Sequence, residues 1–509
     1  MGKPRKFAIR AIITVIIMVI CVSCFCALLR KEILEYTNGA RVNFYKLPED
    51  SIDVIFLGSS HSMEAFIPQE LYNEYGITSY NLSCSAQPPL ISYYWLKEAM
   101  KTQKFKTVVL DVYFVPLTRT SKMSNDVLEF RIRTAIENMR WGEVRIEAIH
   151  EACKRYENLF ELSYYLPNIR YHDRWKDLYK ADFIAEELAV NNNFMGYPAL
   201  RRGGNKERFL SLKTKESKVS KVESLDEYIE KIVQLCKGNN IKLILVKTPF
   251  TGWTLSEHNT LETFANENDL PFYDMNVDTV YNKMNFNYNK DIADNTAHAN
   301  LRGAIKLTSF IGKILRDEYG LLPHKSKPWE DGKKGYANAK ADYKLQEEKN
   351  LNKYLSLLKE NKERYTIFIA AKDEASKHLS KNSQKALSEL GLITVWNDAY
   401  RKSYYAVIEG GNVLLDEMSA EELYHTGSFN RGRHIYNIES AGKEVVNNCS
   451  IKINGGEKAK GKRGLNIVVF NNERQMIIDS VCFDTYDAAN KISRLSRYEL
   501  MASGNGFQW

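Results

Sequence analysis

The run Ala11–Leu29 (AIITVIIMVICVSCFCALL) contains no charged side chain. At about 1.5 Å per helical residue it is long enough to cross the hydrocarbon core of a bilayer. It predicts one transmembrane helix, so everything after it must fold as separate water-facing bodies. Lys3, Arg5, Lys6 and Arg10 crowd the short N-terminal side. The positive-inside rule keeps that end cytoplasmic and places the bulk of the chain outside, and Arg30 and Lys31 on the far side are too few to reverse it. A cleaved signal peptide shares the charged start. The run lacks a closing small-x-small cleavage signal, which favours an uncleaved anchor. Lipid attachment at Cys24, after Val22-Ser23, is a lesser alternative.

A chain of 509 residues exceeds one ordinary core, so two domains plus additions are expected. An apolar share of 44% excludes a disordered chain. The net charge of +8 is modest for this length, and no basic stripe interleaved with aromatics occurs, which argues against nucleic-acid binding. A mild positive balance suits work beside an anionic membrane or wall polymer. Outside the apolar run the cysteines are Cys84, Cys153, Cys236, Cys449 and Cys482. They show no CxxC spacing, so no zinc site, metal or cofactor is expected. Cys449 and Cys482 share one small domain and are the pair expected to form a disulfide, if any does.

From Ser51 the chain alternates buried strands with helical stretches. Ile52–Leu57, Ile77–Leu82, Thr107–Val112, Ile241–Val246 and a short Phe272-Tyr273-Asp274 read as strands. Such alternation predicts a mainly parallel sheet covered on both faces. Leu301–Leu315 (LRGAIKLTSFIGKIL) has a helical apolar stripe. Pro323–Lys334 is polar and breaker-containing, which marks a linker, and Asp342–Asn361 is expected as a charged, solvated helix. From Tyr365 the pattern changes to short β-like runs with Gly-rich turns at Gly410-Gly411 and Gly455-Gly456, interrupted by one helix near Ser380–Leu390. This predicts a smaller α+β domain. The expected boundaries are an anchor at 1–30, an α/β domain at 48–320, a linker and charged helix at 321–362, and the second domain at 363–500.

Two short segments can carry chemistry. In Leu57-Gly58-Ser59-Ser60-His61 a buried strand ends in a glycine followed at once by polar residues. Ligands in doubly wound sheets bind at the carboxyl ends of strands, which places Ser60 to act as a nucleophile; a serine there also serves as an ordinary helix cap. Far downstream, Asp294-Asn295-Thr296-Ala297-His298 precedes the amphipathic helix. A histidine on such a loop can take a serine proton while a carboxylate fixes its tautomer, or it can merely start the helix. The glycines near Gly455 and Gly461 lack the lysine–threonine ending of a phosphate-binding loop and read as turns. Trp396, Tyr404 and Tyr405 could stack on a sugar or belong to a core.

Taken together, IDVIFLGSSHSMEAFIP, YNLSCSAQ, KTVVLDVYFVP, LILVKTPF and DNTAHANLRGAIKLT resemble the SGNH (GDSL-like) hydrolase superfamily over about Ser51–Leu315. Within it, the likeness is to membrane-anchored relatives of the D-alanyl-lipoteichoic acid transfer protein. The resemblance implies a flavodoxin-like three-layer α/β fold, with Ser60 as nucleophile, His298 as general base and Asp294 as its acid. Ser59 stands where the GDSL form has aspartate. Backbone N–H groups near Ser60, helped by the Ser83–Gln87 segment, would form the oxyanion hole, and His61 would meet substrate. Three departures stand out. The usual acid position holds Asn295, so Asp294 needs a bulged loop or the site works as a dyad. No glycine occurs at Ser83–Ala86. Asp111, instead of asparagine, ends the third strand.

A second likeness concerns about Tyr365–Leu495. GKRGLNIVVFNNERQMIIDSVCFDTY and IFIAAKDEASKHLSKNSQKALSELG resemble the two halves of the interleukin-like EMT inducer (PANDER-like) domain. The second stretch comes first here, an order circularly permuted relative to the animal proteins. That likeness implies carbohydrate recognition; a spacer or protein-docking module is the alternative. The whole predicts an extracytoplasmic serine O-acyltransferase or esterase acting on a cell-surface glycan or wall polymer. A membrane-bound O-acyltransferase is the partner that the first resemblance implies. The rival expectation is a non-catalytic glycan-binding or envelope assembly protein on a drifted scaffold.

Overall fold

In the computed structural model, which describes residues 3–29, 41–120, 124–166, 168–177, 194–197, 203–204, 207, 209–213, 224–294, 298–487 and 491–495, two units separate, Met1–Tyr336 and Ala337–Trp509. The first holds five strands: β1 (Val54–Leu57), β2 (Ser79–Asn81), β3 (Thr107–Asp111), β4 (Lys242–Lys247) and β5 (Phe272–Asp274). They pair in the order β2-β1-β3-β4-β5, every pair parallel. This is the flavodoxin-like order of a doubly wound sheet, with its switch point between β1 and β3. β1 and β3 are buried on both faces, which is why VIFL and TVVLD read as continuous apolar runs.

Alternate residues divide between the two faces. Ile55, Leu57, Val108, Leu110, Leu243 and Leu245 join one core with Trp95 and Leu96 of the helix Pro89–Ala99 and Ile232 of the helix Tyr228–Gly238. On the other face Phe56 stacks on Phe66, ring centroids 4.9 Å apart. There the helix Leu301–Asp317 packs its apolar stripe (Leu301, Ala304, Leu307, Ile311, Leu315), and Thr308 accepts the Ile67 amide at 2.9 Å. Asn300 caps this helix by accepting from Gly303 N at 3.1 Å. The result is a three-layer α/β unit. The helix Lys3–Leu29 carries the apolar run. Its segment Phe7–Phe25 exposes its side chains and is long and apolar enough to cross a membrane, a test that a signal sequence also meets.

The boundary between the units falls within the helix Lys327–Glu347. The second unit contains β6 (Tyr365–Asp373), β7 (Ser403–Glu409), β8 (Asn412–Ser419), β9 (Leu423–Phe429), β10 (His434–Gly442), β11 (Cys449–Ile453), β12 (Gly456–Glu457), β13 (Gly464–Asn471), β14 (Met476–Phe483) and β15 (Ile492–Arg494). β6 is its centre, antiparallel to β7 and β13 and parallel to the end of β10. Ile367 and Ile369 face one core, Phe368 and Ala370 another. The helix Leu351–Asn361, expected as solvated, instead buries Leu351, Tyr354, Leu355 and Leu358 in the first of these cores. Asp342, also expected on a solvated face, is fully buried. It accepts from Arg364, Tyr365, Asn471 and Arg474 at 2.6–3.1 Å. Four donors on one carboxylate compensate its loss of hydration.

The expected Cys449–Cys482 disulfide is not formed; both are free and buried. Cys449 lies on β11 and Cys482 on β14, and β10, β6 and β13 separate those strands in the sheet order. Burial pushes the Cys482 thiol up to about 12 and the Cys449 thiol higher still. Both thiols should therefore resist a thiolate-directed reagent at pH 8 in the folded protein and react once it is unfolded. Time-resolved labelling with mass mapping checks this; rapid native labelling of either would contradict the burial.

Candidate functional site

Strand ends on the carboxyl rim of the parallel sheet supply the polar residues of the site. β1 ends at Leu57, and Gly58 follows with φ +139°. A Cβ at Gly58 would sit 2.8 Å from Asp111 Cβ and 3.1 Å from Ser62 Cβ, so only glycine lets the chain turn so close to the end of β3. The turn delivers Ser60 to the first position of the short helix Ser60–Ala65, whose N-cap is Ser59. Ser59 Oγ accepts from His61 N at 3.3 Å, a capping role for the residue that stands in the aspartate position of the GDSL form.

Ser60 and His298, 238 positions apart, meet at this rim. Ser60 Oγ and His298 Nε2 lie 2.8 Å apart. Asp294 Oδ2 lies 3.0 Å from His298 Nδ1, while its Oδ1 accepts the His298 backbone N–H at 3.3 Å. The carboxylate four residues before the histidine thus contacts both the ring and the backbone of His298. Asn295, at the usual acid position, lies with 296 and 297 outside the described residues. The loop is pinned at both ends. Ala293 N donates to His298 O at 2.7 Å, and Asn300 Nδ2 donates to Gly203 O at 2.8 Å and Lys290 O at 2.6 Å. With Nδ1–H held by Asp294, Nε2 is left as the acceptor of the serine proton.

The Ser83–Gln87 segment lies beside this turn but is largely committed to the scaffold. Ser83 N donates to Asn81 Oδ1 and Ser83 Oγ to Ser62 Oγ (2.8 Å). Cys84 N donates to Gly58 O and Gln87 N to Cys84 O. The Gln87 side chain bridges Arg41 (3.0 Å) and Ser92 (2.9 Å). Asn81, unremarked in the sequence, ties the region together through Ser62 O and Phe66 O.

His61 is 4% exposed and stacks on Tyr113, ring centroids 4.0 Å apart, with Phe250 edge-on at 5.5 Å and the His298 ring at 5.8 Å. Behind it the ends of β3, β4 and β5 contribute Asp111, Lys247 and Asp274, all buried. Burial pulls the Lys247 ammonium down to about 8, partly offset by Asp111 and Asp274. Burial raises the Asp111 carboxyl, an effect that Lys247 opposes. Arg119 forms a two-point ion pair with Glu257 and packs over Tyr113, Phe250 and Trp253. Lys247 and Phe250 lie within LILVKTPF, and Asp111 and Tyr113 within KTVVLDVYFVP, but the packing of this buried group depends on strand order. In the second unit Trp396 and Tyr404 pack against each other at 4.7 Å within the core and offer no sugar platform.

Residues 331–412 match the family model described as interleukin-like EMT inducer. The stretch IFIAAKDEASKHLSKNSQKALSELG lies inside the match and GKRGLNIVVFNNERQMIIDSVCFDTY outside it. Solved structures similar to the chain include a protein from Desulfitobacterium hafniense described as lipolytic and of the G-D-S-L family. It has 10% identity and a TM-score of 0.27, covering 52% of this chain and all of that one. A GDSL-like lipase from Bacteroides thetaiotaomicron has 14% identity and a TM-score of 0.27, covering 56% of this chain and all of that one. A comparison with curated proteins returns no match. The strand order β2-β1-β3-β4-β5 gives the first unit its flavodoxin-like fold.

The close approach at Gly58 makes a direct test of the geometry. Gly58→Ala should destabilise the first unit by about 1–3 kcal/mol, because the new methyl must displace the end of β3. Urea unfolding measures it, and an unchanged midpoint would contradict the packing.

Proposed function

We propose that the chain is an exported, N-terminally anchored serine esterase or O-acyltransferase that handles acyl esters on a cell-surface glycan or wall polymer. The observation that carries this reading is the Ser60–His298–Asp294 chain of contacts at 2.8 and 3.0 Å on the rim where doubly wound sheets bind ligands. Ser60 Oγ attacks the acyl carbonyl carbon as His298 Nε2 takes its proton. The carbonyl carbon–alkoxy oxygen bond then breaks, and His298 returns the proton to the departing oxygen. The acyl-Ser60 ester is next attacked by an acceptor hydroxyl, again deprotonated by His298. Water as acceptor gives hydrolysis; a sugar hydroxyl gives transfer.

Support for the setting comes from the sequence. Lys3, Arg5, Lys6 and Arg10 before the apolar helix favour a cytoplasmic N-terminus and an exported body. The likeness to anchored relatives of the D-alanyl-lipoteichoic acid transfer protein favours transfer, with a membrane-bound O-acyltransferase as donor-side partner. The second unit would hold the glycan.

Full-length protein in detergent should hydrolyse p-nitrophenyl acetate. Ser60→Ala should reduce kcat/KM to background, and Asp294→Ala should reduce it about 10³–10⁴-fold, as loss of the triad acid does elsewhere. Equal rates in wild type and Ser60→Ala would replace the enzyme with a glycan-binding or assembly protein.

A further inference from the structure

Between β3 and β4 the first unit inserts helices at Asn125–Glu137, Glu143–Arg155, Leu162–Tyr165 and Asn168–Tyr171, followed by a 3-10 turn at His172–Asp177. Trp141, Phe160, Leu162, Leu166, Ile169 and Trp175 belong to this stretch, and each is 37–59% exposed. Single apolar side chains on a surface need no explanation. A concentration of large ones marks a place where something else sits.

The stretch is held firmly from behind. Val144, Ile149, Leu159 and Tyr164 from the same elements enter the core of the unit. The buried Arg133 donates to Ser163 Oγ at 2.7 Å, and its guanidinium lies 4.1 Å from the centre of the Tyr164 ring. Arg133 also donates to Glu129 Oε1 at 2.8 Å, and Arg170 donates to the other oxygen of that carboxylate at 3.1 Å. The Trp141 and Tyr165 rings stack with centroids 6.0 Å apart, and the Arg145 guanidinium lies 3.7 Å from the Trp141 ring centre. The apolar side chains are thus presented outward on a fixed backing.

Position and composition together indicate the occupant. The helix Asn168–Tyr171 and the turn His172–Asp177 lie against the helix Lys3–Leu29, whose segment Phe7–Phe25 is long and apolar enough to cross a membrane. A protein face that adjoins a membrane-spanning helix meets lipid near the headgroups. Tryptophan and tyrosine among aliphatic side chains suit that layer, where ring and polar tip are both accommodated, and short helices with one apolar side bed into it. Over Phe160–Asp177 three basic side chains balance three acidic ones, so charge selects neither an acidic protein nor an anionic lipid. Arg170 is paired with Glu129 and Lys176 with Asp173. We propose that the face carrying Trp141, Leu166 and Trp175 beds into the headgroup layer of the bilayer that holds the N-terminal helix. The proposal rests on the reading of Lys3–Leu29 as a membrane anchor. A body held at two places cannot swing freely about its tether, so the rim bearing Ser60 keeps one attitude to the membrane.

Bromine on a lipid chain quenches tryptophan only at close range, which reads the contact directly. The other described tryptophans, Trp95, Trp253, Trp329 and Trp396, are buried. Full-length protein in phosphatidylcholine vesicles brominated just below the headgroups should lose about a quarter of its tryptophan emission relative to plain vesicles, two of seven tryptophans being in reach. The double variant Trp141→Phe, Trp175→Phe should abolish that loss, and Leu166→Asp with Ile169→Asp should lessen it. High salt should leave it unchanged. Equal emission in both lipids, a loss that persists in the double variant, or a loss that vanishes in high salt overturns the proposal. Alkaline carbonate extraction separates the two readings: protein retained by the vesicles without quenching sinks the second contact alone, and protein released sinks the anchor and this contact together.

Discussion

Parallel pairing of β1 with β2 on one side and β3 on the other decides where everything else can go. Each strand of a parallel sheet must return through a crossover before the next begins, so all carboxyl ends collect on one rim. In this chain those ends read Leu57-Gly58-Ser59-Ser60, Asp111, Lys247 and Asp274. The apolar interiors of the strands make the sheet; the polar residues that end different strands gather on one rim although the strands lie far apart in sequence. The loop holding His298 joins the same rim because Asn300 caps the helix that covers the adjoining face.

That rim separates charge by position. On one side the His298 imidazole leans on a carboxylate that is partly exposed. On the other, Lys247 and Asp111 are sealed beneath aromatic rings, each offsetting part of the other's cost of burial. The rim thus holds one imidazole beside a carboxylate and a second packed against aromatic rings.

The parallel strands were legible because runs such as IDVIFL and IKLILV are both apolar and bounded by breakers. The helix over Leu301–Asp317 was legible from its stripe. The helix Leu255–Glu267 starts at a capping box formed by Thr254 and Glu257, a signal present in the sequence that its apolar pattern alone does not give. Ser60, His298 and Asp294 followed from two motifs, although closure of the loop by an acid four residues upstream is a matter of backbone turning that spacing leaves open. β9 and β10 escaped notice: LYHTGSF has no apolar run, and β9 pairs with β10 alone and is half exposed. The helix Leu351–Asn361 is rich in charge, yet one face of leucines is enough to bury it. The Lys247 group depends on strand order, which composition and periodicity do not encode.

The central strand of the second unit has a consequence for synthesis on the ribosome. Thr366 on β6 pairs with Phe470 on β13, so one edge of the buried stretch TIFIAA is filled only when that distant partner has arrived. Until the ribosome has released β13, the most apolar strand of the unit carries one unfilled edge, open to any passing strand of matching character. A nascent chain arrested between β10 and β13 would be sticky in a way that the finished protein is not, and contacts of such long range are slow to form.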